Sequence, residues 1–341
     1  MDKPFDRLFY YLRKLQRLLV NKGEHVKNIS IKIFLSYLVI YIVWGSTYFF
    51  IKMGVETMPP FYLVGLRFLF GGLGFLGISV ITGQLRSIPS KQEMLSALFL
   101  GSFLLLLGNG FVSLAERSVD SYLAALFIAS TPFCVAMFNG IIFKEKLPLF
   151  RLFGMFSGIA GVGVILYNGS NIMTSITSGV GLIFLGLLCW SLATSVGHKM
   201  KVHPDNLVNS GMQMLFAGIL GTVFANIIYP PLPALIPGIT ARSWIGLAYL
   251  TVFGATAFYC YSYLIKNEPS IRIVSYSIVN PVIAVVLGIL IGNEKPAPFL
   301  LLGFPLVLFG LVLMMYGGRI VPQVMAYSRY INRNQPPRNK H

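Results

Sequence analysis

Arg67 stands alone as a charge in FYLVGLRFLFGGLGFLGISVI, residues 61–81. A guanidinium stays protonated at physiological pH and offers five N–H donors in a fixed fork, so it can hold a carboxylate but cannot relay a proton. Counted from the nearer end of its apolar run, Arg67 lies about six residues, roughly 9 Å, deep. Facing lipid there would cost up to about 3 kcal/mol, so it should face inward or snorkel. Gly65, Gly71 and Gly72 on the same segment would allow a neighbouring helix to approach closely. Trp44 and Trp190 each lie about eleven residues, roughly 16 Å, into their runs, too deep for an interfacial belt. Such rings can stack on a flat or apolar solute, with core packing as the alternative. Asn109 and Gln213 add hydrogen-bonding amides, and Tyr259, Tyr261, Tyr263 and Tyr276 are candidate wall residues, or else ordinary aromatic packing. Together these residues describe non-covalent capture of a small solute.

Bond-making chemistry is poorly supplied. His25, His198, His203 and His341 fall outside or at the edges of the apolar runs, without zinc-type spacing, and no Walker-type phosphate loop occurs. No metal or cofactor is therefore expected. Cys134, Cys189 and Cys260, odd in number and inside apolar runs, do not form a disulfide framework. The eleven carboxylates, Asp2, Asp6, Glu24, Glu56, Glu93, Glu116, Asp120, Glu145, Asp205, Glu268 and Glu294, all fall in termini, loops or run edges. Proton-coupled exchange of a cation commonly uses an intramembrane carboxylate. Their placement predicts instead facilitated movement of a zwitterionic or anionic solute.

The elements that must position these groups follow from composition. Apolar residues make up 55% of the chain, charged residues 11%, and mean hydropathy is +0.73, which marks a membrane protein. Runs near 33–53, 61–82, 93–112, 119–141, 149–168, 179–198, 207–229, 243–265, 271–291 and 298–317 are long enough for helical spans. VLGILIG and FLGLLC are apolar on every side, unlike the alternating strands of a membrane barrel. The first run lies behind thirty mostly polar residues and should be retained as a span rather than cleaved.

The net charge of +16 reflects loop sorting rather than a nucleic-acid partner. Of 27 Lys and Arg, 22 fall in the termini and one alternating set of loops, and three (Arg117, Arg242, Lys295) in the other set. This bias puts both termini in the cytoplasm. Residues 5–19 place Phe5, Leu8, Phe9, Leu12, Leu15 and Leu19 on one helical face ringed by Arg7, Arg13, Lys14 and Arg17, a segment suited to lying on the inner leaflet. The tail SRYINRNQPPRNKH is expected to be disordered.

The chain contains a repeat. At an offset of 149, Ser121 meets Ser270, Pro132 meets Pro281, Glu145 meets Glu294, Lys146 meets Lys295, Gly154 meets Gly303, Gly161 meets Gly310 and Tyr167 meets Tyr316. At 146, Trp44 meets Trp190, Gly65 meets Gly211 and Arg67 meets Gln213. With five spans per copy, an odd number, the copies must be inverted, the arrangement that lets a central site open to each side in turn. Pro132 and Pro281 fall near the midplane, where each ring removes a backbone donor and frees a carbonyl. Ser130, Thr131 and Asn280 can satisfy those carbonyls or face a cavity, and a purely structural kink is the alternative.

VWGSTYFFIK (43–52), Pro59-Pro60, GLRFLFGG (65–72) and GNGFVSLAERSV (108–119) resemble the EamA branch of the drug/metabolite transporter superfamily, and look most like its bacterial YedA-type members. The proline-centred fourth and ninth spans, ending in Lys-Glu-Lys and Asn-Glu-Lys, resemble the family's equivalents, and the likeness covers about residues 33–318. It implies an all-α polytopic membrane protein of ten transmembrane helices in two inverted five-helix repeats. The organisation is then a basic amphipathic segment at 1–30, repeats at 31–171 and 172–318, and a basic tail at 319–341. It further implies an inner-membrane exporter of a small metabolite such as an amino acid, or of drug-like compounds, working by alternating access. Trp44, Gly45, Ser46 and Thr47 correspond to the family's first-span motif and Arg67 to the polar position of its second span. Trp190-Ser191 and Gln213 depart from that pattern in the second copy. A membrane-embedded enzyme and a channel or lipid scramblase are the rival classes. The expected partners are a small-molecule substrate and the bilayer, with oligomeric state left open. Reporter fusions should place a C-terminal tag in the cytoplasm; an external tag would refute the charge-bias reading.

Overall fold

The computed structural model describes residues 31–85, 88–145, 148–167, 173–268 and 275–333. Among them the chain is helical without strands: α1 (Ile31–Val55), α2 (Pro60–Ile81), α3 (Lys91–Ala115), α4 (Ser121–Phe143), α5 (Leu149–Leu166), α6 (Met173–Gly197), α7 (Asn206–Ile228), α8 (Ala241–Asn267), α9 (Tyr276–Leu290) and α10 (Leu300–Arg333). Eight of these contain stretches long and apolar enough to cross a membrane, and α5 and α9 are shorter apolar helices. Large side chains such as Leu301, Ile81 and Phe156 are exposed, as lipid-facing residues are in a protein whose solvent is hydrocarbon. The packing described below lies within the compact unit that starts at Ser36.

Helix starts follow local chemistry. Pro60 opens α2, where its missing N–H has no intrahelical partner to lose. Ser90 and Glu93 form a capping box at α3, and the Asp205 carboxylate accepts from the Leu207 and Val208 amides at α7. Asp120 gives α4 no such cap; a glutamate from a distant loop does so instead, as described below.

The repeat is visible in packing. A methyl group added at Gly65 would lie 2.6 Å from the Thr222 amide nitrogen, and one at Gly72 would lie 2.5 Å from that of Leu215. Their repeat partners Gly211 and Gly218 press against Leu76 and Leu69, the contacts obtained by exchanging the two copies. On the second seam, a methyl at Gly154 would meet the Gly310 carbonyl at 2.7 Å, and one at Gly161 the Gly303 carbonyl at 2.7 Å. In both seams the partner number falls as the residue number rises, so α2 runs antiparallel to α7 and α5 to α10. Reciprocal contacts between antiparallel equivalents require a two-fold axis perpendicular to the helices, which is the inversion that parity alone implied.

Three local features repeat as well. Both third spans contain a π-helical stretch, Gly101–Gly108 in α3 and Leu250–Gly254 in α8. Lys144 after α4 and Asn293 after α9 both adopt left-handed backbone, with φ of 57° and 53°. The next amides, of Glu145 and Glu294, then donate back to Asn139 and Gly288. The prolines behave differently. α4 breaks at Ala129–Ser130 and restarts at Thr131, whereas α9 continues through Pro281.

One of the expectations for the terminal segments needs adjustment. The amphipathic segment at 5–19 and residues 334–341 lie outside the described residues. Residues 328–333, expected to be disordered, are helical, because an existing helix extends without a new nucleation cost. Replacing Gly161 with Leu should lower the melting temperature of the purified protein, since backbone atoms block the added volume, at a cost of about 1–3 kcal/mol or more. Gly163→Ala, with no heavy atom within 4 Å of the added carbon, should melt like wild type.

Candidate functional site

α1, α2, α3, α4, α6, α8 and α9 enclose a cavity of about 90 Å³, room for several waters or part of a small solute. Its lining includes Trp44, Thr47, Arg67, Asn109, Thr131, Trp190, Tyr276 and Asn280 from among the sequence candidates. The repeat-related Trp44 and Trp190 meet edge to face, 6.2 Å between ring centroids, so the pseudo-two-fold axis passes between them. Tyr276 lies 5.0 Å from Trp44 and Tyr261 4.9 Å, completing an aromatic cluster along one wall.

Arg67 is 7% exposed and forms the polar pole. Its Nη2 donates to Asn109 Oδ1 at 2.8 Å, and its guanidinium lies 4.3 Å from the Phe68 ring centroid. Nε and Nη1 have no hydrogen-bond partner. Asn109 follows the π-helical stretch and its Nδ2 donates to the Leu104 carbonyl, which holds its oxygen towards the guanidinium. The π-helical register brings Leu105, Gly108 and Asn109 to the cavity together. No composition signal in GSFLLLLG announced that stretch.

The carbonyl freed by Pro132 is satisfied locally. Pro132 cannot donate to the Ile128 carbonyl, and Thr131 Oγ1 donates to it instead, at 2.5 Å. Asn280, with its amide oriented to satisfy both, donates to the carbonyls of Tyr276 (3.2 Å) and Tyr41 (3.3 Å). Thr131 and Asn280 therefore both satisfy backbone and border the cavity.

Four candidates lie off the lining. Ser46 donates to the Val43 carbonyl and hydrogen-bonds the Tyr249 hydroxyl, tying α1 to α8. Gln213 is buried on α7, its Nε2 donating to Asn209. Tyr259 is 36% exposed and packs on Phe75. Ser130 occupies the break in α4 without reaching the cavity. Each faces away because helical rotation, which composition does not report, turns it to another neighbour. The structure adds Tyr48, Phe68, Val112 and Phe258 to the walls.

One end of the cavity is fastened by hydrogen bonds. Lys52 Nζ donates to the Val119 carbonyl at 2.9 Å. The Glu294 carboxylate accepts from the Ser121 (2.9 Å) and Tyr122 (3.4 Å) amides, capping α4 from the loop after α9. The Tyr122 hydroxyl donates to the Lys295 carbonyl and accepts from the Ala297 amide. Beneath this seal sits Glu116, 0% exposed. Burial, assisted by Glu294, pushes its carboxyl well above the ordinary carboxylate range, against the pull of Lys52 and Arg67. The sequence correctly puts Glu116 at a span edge, and the structure shows that position to be fully buried. No group of His, Cys, Asp and Glu suited to a metal occurs among the described residues.

A bundle of apolar helices in inverted halves, with a polar-tipped aromatic cavity on the axis, defines an integral membrane transporter architecture. The EamA-like transporter family model matches residues 31–167 and 177–316, and the chain belongs to that family. It is 33% identical over 285 residues to the inner membrane transporter YedA of Escherichia coli (strain K12), covering 83% of this chain and 90% of that one. It is 22% identical over 262 residues to Protein PagO of Salmonella typhimurium, covering 76% and 84%. A solved crystal structure superposes with TM-score 0.60 over 85% of this chain and 97% of its own, at 17% identity, a likeness of fold. Trp44→Ala and Trp190→Ala should each abolish transport while leaving membrane abundance near normal. Parallel loss of folded protein and activity would instead assign the pair to packing.

Proposed function

We propose that this transporter is a secondary carrier for a small zwitterionic or anionic metabolite, such as an amino acid, moving it outward by alternating access. The observation that carries this reading is Arg67, whose Nε and Nη1 are buried at the cavity without partners while Nη2 is held by Asn109. A carboxylate is the ligand such a fork fits, and it would relieve two unsatisfied donors. The solute's apolar part would rest on Trp44, Trp190 and Tyr276, with Thr47, Thr131 and Asn280 offering hydrogen bonds. Ser46, Ser130, Gln213 and Tyr259 are left with packing or supporting roles.

The repeats at 31–171 and 172–318 would rock about the axis between Trp44 and Trp190. Under the positive-inside reading the fastened end faces outward, so the conformation is closed to the outside. Release would break the Lys52 and Glu294 contacts together with the apolar packing of α4 on α9.

Substrate counterflow in proteoliposomes, run with a panel of amino acids and aromatic compounds, tests the class. A carrier exchanges labelled for unlabelled solute unchanged; chemical conversion would identify an enzyme, and flux without exchange a channel. Arg67→Ala should weaken apparent affinity by roughly 10- to 100-fold, the loss of a charge-assisted hydrogen bond of about 1.5–3 kcal/mol. Arg67→Lys should restore only part, because an ammonium lacks the fork.

A further inference from the structure

Glu116 is the group the carrier reading leaves unused. It closes α3 one turn beyond the cavity-lining Val112, and its amide donates to the Val112 carbonyl at 2.9 Å. Its side chain is wholly buried, and the Lys52 backbone amide pulls on its carboxylate without making a regular hydrogen bond to Oε1 or Oε2.

The charged and titratable groups around it either hold hydrogen-bond partners of their own or repel it, and two of them, Lys52 and Arg67, still attract its anion. From α1, Lys52 spends its ammonium on the Val119 carbonyl, and Tyr48, one turn deeper, borders the cavity. From α2, Arg67 is held by Asn109. From the loop after α9, Glu294 adds negative charge, with its oxygens on the α4 amides. Asp120, in Glu116's own loop, interacts with Glu294 and Lys52, and burial raises its carboxyl too. From α4, the Tyr122 hydroxyl is engaged with Lys295 and Ala297. α6, packed along α3, carries no charged residue.

We infer that Glu116 is a proton-binding site, and that its proton and a substrate carboxylate on Arg67 bind together and travel in the same direction. A dry carboxylate without a bonded cation neutralises itself by taking a proton. Lys52 and, less strongly, Arg67 oppose this by favouring the anion. A carboxylate on Arg67 cancels the Arg67 part of that attraction and adds negative charge, so it tightens the proton; by linkage the proton tightens the carboxylate by the same factor. The proton comes from bulk water on the open side, resides on a Glu116 oxygen while the site is closed, and returns to water on the other side. No other bond changes. This replaces the uncoupled movement that the absence of midplane carboxylates suggested, and across an inner membrane whose outer side is the more acidic it turns the net movement from outward to inward; it rests on the carrier reading of Arg67.

Two measurements on the full-length protein test it. The first needs no ligand: melting temperature of wild type and Glu116→Gln, from about pH 5 to 9. Native Glu116 keeps its proton above the pH at which the unfolded carboxyl, near 4.3, has lost it, so the folded state binds more protons and loses stability as pH rises. Wild type should therefore fall progressively below Glu116→Gln towards alkaline pH. A variant less stable by a constant margin throughout would show an ionised structural glutamate and overturn the proposal.

The second measurement imposes a pH gradient, with the membrane potential clamped, on proteoliposomes and an amino acid that passes counterflow. Wild type should accumulate label on the alkaline side, approaching about tenfold per unit of gradient for one-to-one coupling. In Glu116→Gln the accumulation should vanish, and whatever exchange remains should not vary with pH. Wild-type exchange without pH-driven accumulation overturns the coupling and leaves the carrier standing. No exchange for any compound would overturn the carrier reading, and the melting curves would still decide on the proton site.

Discussion

Helices in hydrocarbon gain little from hiding apolar surface from one another, because lipid tails are as apolar as leucine, so close van der Waals approach must hold them. The two glycine seams, α2 on α7 and α5 on α10, supply it. Each seam joins antiparallel equivalents from the two copies, so the contact that binds the repeats also sets their symmetry. The Trp44–Trp190 contact and the paired π-helical stretches bordering the cavity follow from it.

The second constraint is that a polar atom in this interior has few partners to choose from. Most are spent locally: Thr131 serves the carbonyl freed by Pro132, and Asn280 serves two backbone carbonyls. Against that background, the unsatisfied atoms of Arg67 and Glu116 stand out, one a positive fork at the cavity and the other a carboxylate one turn beyond it. An unpaired buried charge is costly to keep, and two such groups near one cavity, close enough to influence each other, are well placed for ligand and proton binding.

The seal over Glu116 belongs to both repeats. Lys52, Val119, Ser121 and Tyr122 come from the first, and Glu294 with Lys295 and Ala297 from the second. Asn293 in left-handed backbone turns the chain so that Glu294 reaches the amides of α4. Lys144 sets the same turn ahead of Glu145, while Ser270, the repeat partner of Ser121, lies outside the described residues. A helix terminus capped across repeats joins the two copies through hydrogen bonds that can be exchanged with water.

Hydropathy and the repeat determined the helical class and element order, because burial in lipid demands apolar residues on every side and leaves little freedom of interpretation. They also singled out Arg67, Trp44 and Trp190, residues that span hydropathy forbids or interfacial preference would place elsewhere. Rotation about each helix axis was decided only by tertiary packing. In a helix apolar all round, no periodic pattern marks the inward face, so Ser46, Gln213 and Tyr259 turned away while Tyr48 and Phe258 turned in. Burial at the ends was equally invisible. Glu116 sits in a loop by sequence and in a dry pocket by structure, because the groups that cover it come from segments up to 178 residues away, and only the folded chain brings Glu294 over it.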